Sequence, residues 1–177
     1  LFIIDLLGLV QALLEHHAES VPATIANAVR KGRAFLNSFG DSPNNLPSIG
    51  DKDGGHALSR HLRISWDGVA DRSVAKITFP DSGYTILRGR SSSPFRLVLD
   101  HGTLGMPPCF AHGHADALSV NLYCGEKEIL IDPGTYTYTG DAAWRTYFRG
   151  TRAHNTVIVD RLDQAVQETA FLWSQPF

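Results

Sequence analysis

YTILRG (84–89) and FRLVLD (95–100) are two short runs of apolar and β-branched residues bounded by turn-forming residues. Runs of this length and composition are typical of β-strands. Because turn residues separate the successive runs, the chain after the first helices is predicted to be mainly β, an antiparallel β-sandwich. The other runs that support this fold are HLRISW (61–66), VAKITF (74–79), ALSVNLY (117–123), EILI (128–131), NTVIVD (155–160) and TAFLW (169–173).

Two helices are predicted in the N-terminal part of the chain, residues 1–40. The first covers about residues 1–19 and is apolar nearly all round. Ser20 as N-cap and Pro22 in the first turn begin the second helix, and Gly40 ends it. Two helices with such wide apolar faces cannot cover each other. We therefore expect the last helices of a larger helical domain, so that the chain is a fragment.

A segment rich in Pro, Gly, Asn and Asp, DSPNNLPSIGDKDGGH (41–56), separates the helices from the strand-like runs. This composition is typical of a loop and of a domain boundary. We therefore predict terminal helices at 1–40, a linker loop at 41–56 and an incomplete antiparallel β domain at 57–177.

The charge and hydrophobicity of the chain exclude two classes of partner. The formal net charge of −2 is close to neutral and gives no electrostatic case for binding nucleic acid or an anionic membrane. Hydrophobic residues make up 43% of the chain, which is enough for a core. The opening run (1–14) carries Asp5 and is shorter than the about 18 uninterrupted apolar residues of a membrane span, so no membrane insertion is predicted. Cys109 and Cys124 fit either a disulfide or two buried free thiols.

The segment AHGHADALS (111–119) places two histidines one residue apart. If this segment is extended, His112 and His114 project from the same face, and Gly113 leaves room beside them. Such a pair suits metal ligation or an approach to an anionic substrate. The alternative is a pair of surface histidines on a loop.

Two further residues strengthen the metal interpretation. Asp132 stands at the end of a predicted strand before a Pro-Gly turn, and His154 stands at the entrance to another strand. Two histidines, one aspartate and a water molecule would satisfy a tetrahedral zinc ion. A simple hairpin around Gly125, however, would place Asp132 opposite about Ser119, so the chain near His112 would have to curl back. Without a metal, Asp132 would cap its own turn and His154 would be a polar strand end.

A cupin is the competing interpretation of an H-x-H motif on a β scaffold. Cupins require a glutamate about four or five residues after the second histidine. Here those places hold Leu118 and Ser119, so the cupin interpretation fails.

Taken together, several segments resemble the heparinase II/III-like family of polysaccharide lyases. They are PSIGDKDGG (47–55), FPDSGYTILRG (79–89), the run from His101 to Tyr138, and WRTYFRGTRAHNTVIVDRLDQ (144–164). The resemblance implies an (α/α) toroid followed by antiparallel β-sandwich domains. It also implies that His112 is the catalytic or substrate-binding residue, and that a divalent metal, zinc in characterised members, is held by His114, Asp132 and His154.

The resemblance further implies a lyase that cleaves a uronic-acid-containing anionic polysaccharide by β-elimination, active only as the full-length protein and periplasmic or secreted. The polymer, whether heparan sulfate, alginate or an exopolysaccharide, stays open. Arg145, Arg149 and Arg152 could bind sugar carboxylates, with an exposed solvated face as the alternative, and Arg149 and Arg152 are the predicted substrate-binding residues. Tyr136 and Tyr138 could take the place of the family's catalytic tyrosine, but packing is predicted for both. The alternative function is a non-catalytic carbohydrate-binding or structural member of the same fold.

Overall fold

The computed structural model describes residues 2–40, 46–52, 75–89, 94–125 and 127–177. The chain divides into two compact units. The first combines Leu1–Leu46 with Gly54–Asp71, and the second combines Pro47–Asp53 with Arg72–Phe177. A short part of the predicted linker therefore belongs to the second unit. The predicted strand HLRISW lies outside the described residues.

In the part of the first unit that the structure describes there are two helices, α1 (Phe2–His16) and α2 (Ala23–Phe39). Several apolar side chains of α1 are exposed, Phe2 and Ile3 among them, as the wide apolar face predicted. The N-cap prediction is wrong, because α2 begins directly after Pro22 rather than at Ser20. The Pro22 carbonyl accepts the first helical hydrogen bonds, and no side chain caps this end. Neither helix among the described residues has the length and apolar character needed to cross a membrane.

The described residues of the second unit form a five-stranded antiparallel sheet in which each strand pairs with the next along the chain. This arrangement, after two helices, confirms the predicted fold class. Its strands are β1 (Lys76–Phe79), β2 (Tyr84–Gly89), β3 (Phe95–Asp100), β4 (Val120–Cys124) and β5 (Lys127–Leu130).

A row of buried residues crosses the middle of this sheet. Ile86 of β2 pairs with Val98 of β3, which pairs with Asn121 of β4, and all three are almost fully buried. A second apolar cluster joins Leu104, Ala115, Ala165 and Trp173 outside the sheet. Leu104 and Ala115 of this cluster lie in the segment 101–119, which carries both histidines of the H-x-H motif.

After the sheet come a helix, α3 (Ala142–Arg149), a 3-10 turn (Thr151–Ala153) and a hairpin of β6 (Val166–Thr169) with β7 (Leu172–Ser174). Helix α3 was not predicted from the sequence of residues 142–149. Its start is marked by Asp141, whose side chain accepts hydrogen bonds from the backbone N–H groups of Ala143 and Trp144.

Further sequence predictions differ from the structure. The run TAFLW (169–173) is not one strand, because β6 ends at Thr169, a turn follows, and β7 begins at Leu172. The run NTVIVD (155–160) is not a strand and makes only an isolated bridge between Val159 and Leu162. The run ALSVNLY becomes a strand only from Val120 onwards. Cys109 and Cys124 are free and exposed, so they are neither bonded nor buried.

The buried row predicts a large stability cost for Ile86→Ala in the full-length protein. Ile86 is 0% exposed, so the change removes buried methyl groups and leaves a cavity. We expect a loss of about 2–5 kcal/mol in unfolding free energy, measured by chemical denaturation. Ile129→Ala in β5 is the matched control, because Ile129 is 52% exposed, and it should cost less than about 1 kcal/mol. Equal costs for the two variants would contradict this core.

Candidate metal centre

The segment 111–119 is not extended; it folds as a series of turns. The N–H of Gly113 donates to the Phe110 carbonyl, and the N–H of Ala115 donates to the Arg149 carbonyl. A Cβ at Gly113 would lie 1.6 Å from the Leu104 carbonyl oxygen, so only glycine fits here. The room beside the histidines is therefore occupied by backbone, and the chain makes the reversal that a metal site requires.

This reversal separates the environments of the two histidines. The side chain of His112 is 74% exposed, whereas that of His114 is fully buried. His114 instead approaches Asp132 and His154, so that one ligand atom from each of the three residues lies within 4.8 Å of the other two. The structure therefore brings together the three residues that the resemblance implied as metal ligands.

Asp132 caps its own turn and also contacts a histidine of the cluster. Its Oδ1 accepts a hydrogen bond from the N–H of Gly134 at 2.9 Å, which caps the turn after β5. Its Oδ2 lies 2.9 Å from Nδ1 of His154. Burial disfavours the imidazolium form of His154, but the hydrogen bond and charge of Asp132 outweigh it and raise the pKa of His154.

Two buried nitrogen atoms in this cluster have no hydrogen-bond partner within the described parts of the chain, Nδ1 of His114 and Nε2 of His154. Burying an unpaired polar nitrogen is costly, and metal ligation removes that cost. Burial also lowers the pKa of His114, which favours the neutral imidazole that binds metals. Two imidazoles and one carboxylate form a donor set that zinc accepts with one position left open. These residues fit a divalent metal.

Asp51 is a member of this site that the sequence did not reveal. Its carboxylate contacts both histidines of the motif and Arg145 of α3. Burial opposes its ionisation, but the hydrogen bonds from His114 and Arg145 prevail and hold the pKa of Asp51 well below its usual range. The only signal in the sequence was its place in PSIGDKDGG, one of the segments that carry the resemblance.

Backbone contacts fix the loop that carries Asp51 against the motif. The N–H of Asp51 donates to the His112 carbonyl at 3.0 Å, and the N–H of Lys52 donates to the Thr135 hydroxyl at 2.6 Å. Gly50 has a φ of +62°, and a Cβ there would lie 3.0 Å from the His112 carbonyl oxygen. The loop therefore requires glycine at this position to approach so closely.

Asp116, two residues after His114, does not contact the His114 ring within the described parts of the chain. Nε2 of His114 contacts Asp51, and Oδ2 of Asp116 is buried without a partner among the described residues. Burial raises the pKa of Asp116 to about 7. The Asp116 carbonyl accepts the N–H of Ser119, so this residue shapes the turn before β4.

The predicted substrate-binding arginines lie in different environments. Arg152 is exposed and donates to the Arg161 carbonyl at 3.1 Å. Arg149 is fully buried, donates to the Thr169 carbonyl at 2.8 Å, and lies 4.4 Å from the ring centre of Trp173. Burial, followed by the charge of Arg145, lowers the pKa of Arg149 to about 10. Its surroundings are those of a packing residue, whereas the side chain of Arg152 is exposed.

Tyr136 and Asn155 make structural contacts near the cluster. Tyr136 stacks on Phe148 with ring centres 4.9 Å apart, although it stays 66% exposed. Asn155 donates to the Ile131 carbonyl at 2.7 Å and so ties the segment after His154 to the end of β5. That contact holds the segments carrying Asp132 and His154 together.

An open cleft of about 780 Å³ lies beside the cluster. Both histidines of the motif and Asp51 contribute to its wall, together with Tyr84 and His101. Because His112 is the exposed member of the pair, its ring is available to a molecule in this cleft. The arrangement pairs a buried ligand cluster with an accessible imidazole.

Fold and site together define an antiparallel β domain with a buried two-histidine, one-carboxylate cluster next to an open cleft. A family profile described as "Heparinase II/III-like, C-terminal" matches residues 71–176, more than half of the chain. The chain belongs to this family, as its sequence motifs predicted.

Solved structures of similar fold include heparinase III and a heparan sulfate lyase. One is heparinase III, with a TM-score of 0.65, 18% identity, and coverage of 91% of this chain and 30% of that one. Another is the heparan sulfate lyase HepC from Pedobacter heparinus, with a TM-score of 0.57, 20% identity, and coverage of 80% and 25%. The chain thus spans less than a third of either structure. No curated protein sequence matches this chain.

The geometry predicts that His154→Ala in the full-length protein releases a bound divalent metal. Removing one ligand frees the segments of His114 and Asp132, because metal binding energy is partly folding energy. We expect less bound zinc by elemental analysis, and a lower thermal midpoint that chelator no longer changes.

His101→Ala is the matched control, since His101 is an exposed histidine outside the cluster, and it should keep its metal. If His154 were only a polar residue, its replacement would cost within about 0.5 kcal/mol. A His154→Ala variant that keeps its zinc and melts like the parent would remove His154 from the site.

Proposed function

We propose that the full-length protein is a polysaccharide lyase that cleaves a uronic-acid-containing polysaccharide by β-elimination, with a structural zinc ion in its β domain. One observation carries this proposal. His114 is buried in the three-residue cluster, whereas His112, two residues earlier, is 74% exposed at the cleft. Family membership and the similar folds of two named lyases support the same function.

β-Elimination requires a group that neutralises the sugar carboxylate as well as a base and an acid, and His112 can provide the first of these. The lyase removes the weakly acidic C5 proton of a uronic acid and expels the oxygen linked at C4. Negative charge then develops next to the sugar carboxylate, and a hydrogen-bond donor or cation aimed at that carboxylate lowers the barrier. The accessible ring of His112 is suited to this contact. The base and the acid of the proton transfers are expected from the toroid domain of the full-length protein.

The proposed metal stabilises the structure and takes no part in the reaction. It would join His114, Asp132 and His154, which come from three separate segments, and so hold the H-x-H turn in place. Arg152 is the arginine proposed to contact substrate carboxylates, because its side chain is exposed. Arg149 is left out of this role, since its side chain is fully buried.

The substrate proposed for the first test is heparan sulfate, because a similar structure is named as a heparan sulfate lyase. Alginate serves as the uronic acid polymer for comparison. A polymeric substrate of this kind fits a periplasmic or secreted protein. The non-catalytic alternative is less well supported, since it leaves the exposed position of His112 without a purpose.

His112→Ala is predicted to abolish lyase turnover and to leave the metal content intact. Loss of a single group that stabilises developing charge costs about 100- to 1,000-fold in rate. The assay follows the ultraviolet absorbance of the unsaturated product, and elemental analysis follows the zinc. His16→Ala, an exposed histidine of α1, is the control and should retain activity. Loss of zinc in His112→Ala would show that the roles of the two histidines are reversed.

The 177-residue chain by itself is predicted to form no unsaturated product, because the base and the acid are expected outside it. Zinc binding by the same preparation serves as the control that its β domain is folded. Steady product formation by this chain would overturn the proposal that a second domain completes the active site.

A further inference from the structure

The carboxylate of Asp51 is shared symmetrically between one arginine and two histidines. Nη1 of Arg145 donates to Oδ1 at 2.5 Å, and Nε2 of His114 lies 3.0 Å from the same oxygen. Nη2 of Arg145 donates to Oδ2 at 2.7 Å, and Nδ1 of His112 lies 3.3 Å from that oxygen. Each oxygen therefore has one arginine partner and one histidine partner.

The charge of Asp51 fixes the hydrogen of the buried histidine. An ionised carboxylate only accepts hydrogen bonds, so the hydrogen of His114 resides on Nε2. The lone pair of His114 is then on Nδ1, the buried nitrogen that has no partner among the described residues. A carboxylate behind a metal-binding imidazole sets its tautomer and orientation and increases its basicity.

The same argument applies to the exposed histidine. Nδ1 of His112 faces Oδ2 of Asp51, so its hydrogen also points to the carboxylate, and Nε2 is left for the cleft. Without this contact the ring would be free to rotate, because its side chain is 74% exposed. Its orientation therefore depends on where Asp51 is held.

Arg145 holds Asp51 in place. Both ends of its guanidinium bind the carboxylate, and its Nε donates to the Ala170 carbonyl at 3.1 Å. The guanidinium carbon also lies 5.2 Å from the ring centre of Tyr138 and 5.1 Å from that of Phe171. A two-pronged contact of this kind fixes the plane of a carboxylate as well as its position.

We propose that Asp51, clamped by Arg145, is a positioning residue for both histidines of the motif: it orients His114 toward the metal and His112 toward the substrate. The role of Asp51 toward His112 rests on the proposed function. Its role toward His114 depends only on zinc binding and can be tested without any lyase activity.

Asp51→Asn in the full-length protein is the principal test. Asparagine has the same shape, but its NH₂ group would face donors from Arg145 and one histidine, so two of the four contacts are lost. We expect zinc affinity, measured against a competing chelator without substrate, to fall about 10- to 100-fold. At saturating zinc we expect kcat to fall at least about tenfold while KM changes little, because an orientation is lost rather than a binding group.

Two further variants make the test decisive. Asp160→Asn is the control, since Asp160 is an exposed aspartate away from the cluster, and it should change neither quantity. Arg145→Lys keeps the charge but lacks the two-pronged geometry, and it should repeat both effects more weakly. It also serves as the test if Asp51→Asn does not fold.

The outcomes distinguish the role of Asp51 toward His114 from its role toward His112. Unchanged zinc affinity in both Asp51→Asn and Arg145→Lys overturns the role toward His114. Full kcat at saturating zinc overturns the role toward His112. If the wild-type protein shows no lyase activity on any uronate polymer, the proposed function fails, while the measured zinc affinities still support or overturn the role toward His114.

Discussion

The buried ion pair between Asp51 and Arg145 is the interaction on which the site depends. Both side chains are almost completely removed from solvent, and a buried charge is costly unless it is paired and hydrogen-bonded. The pair meets this demand because Arg145 donates from both ends of its guanidinium. Its partners come from a loop near residue 50 and from α3, so satisfying the two charges brings remote segments of the second unit together. The histidine motif lies where these segments meet.

The second constraint is a turn that only glycine permits. The chain reverses at Gly113, because any side chain there would collide with the Leu104 carbonyl. This reversal puts His114 into the interior and leaves His112 at the cleft. In an extended strand both would share one face and one environment. The different surroundings of two histidines of the same motif are therefore a property of the backbone path, which allows one to serve the proposed metal and the other the proposed substrate.

The same shared carboxylate gives a physical reason for the H-x-H spacing. With one residue between them, the two imidazoles reach the two oxygens of a single aspartate from neighbouring positions. A longer spacing would require a second acceptor for one of them. In this chain the motif places a buried ring and an exposed ring against one carboxylate. Polar contacts rather than apolar packing specify this part of the domain.

The sequence by itself determined the class of the fold, the family, and the identity of the three clustered residues. Alternating runs such as YTILRG specify strands through local side-chain preference, and the motifs around His114, Asp132 and His154 are local in sequence. Local patterns could not reveal Asp51, which lies in a loop more than sixty positions from His114, or the burial of Arg149. NTVIVD illustrates the limit, since its β-branched residues favour a strand, yet within the described ranges it makes one isolated bridge and no strand pairing. Only the tertiary structure decided these features, because burial and charge pairing depend on which distant segments meet.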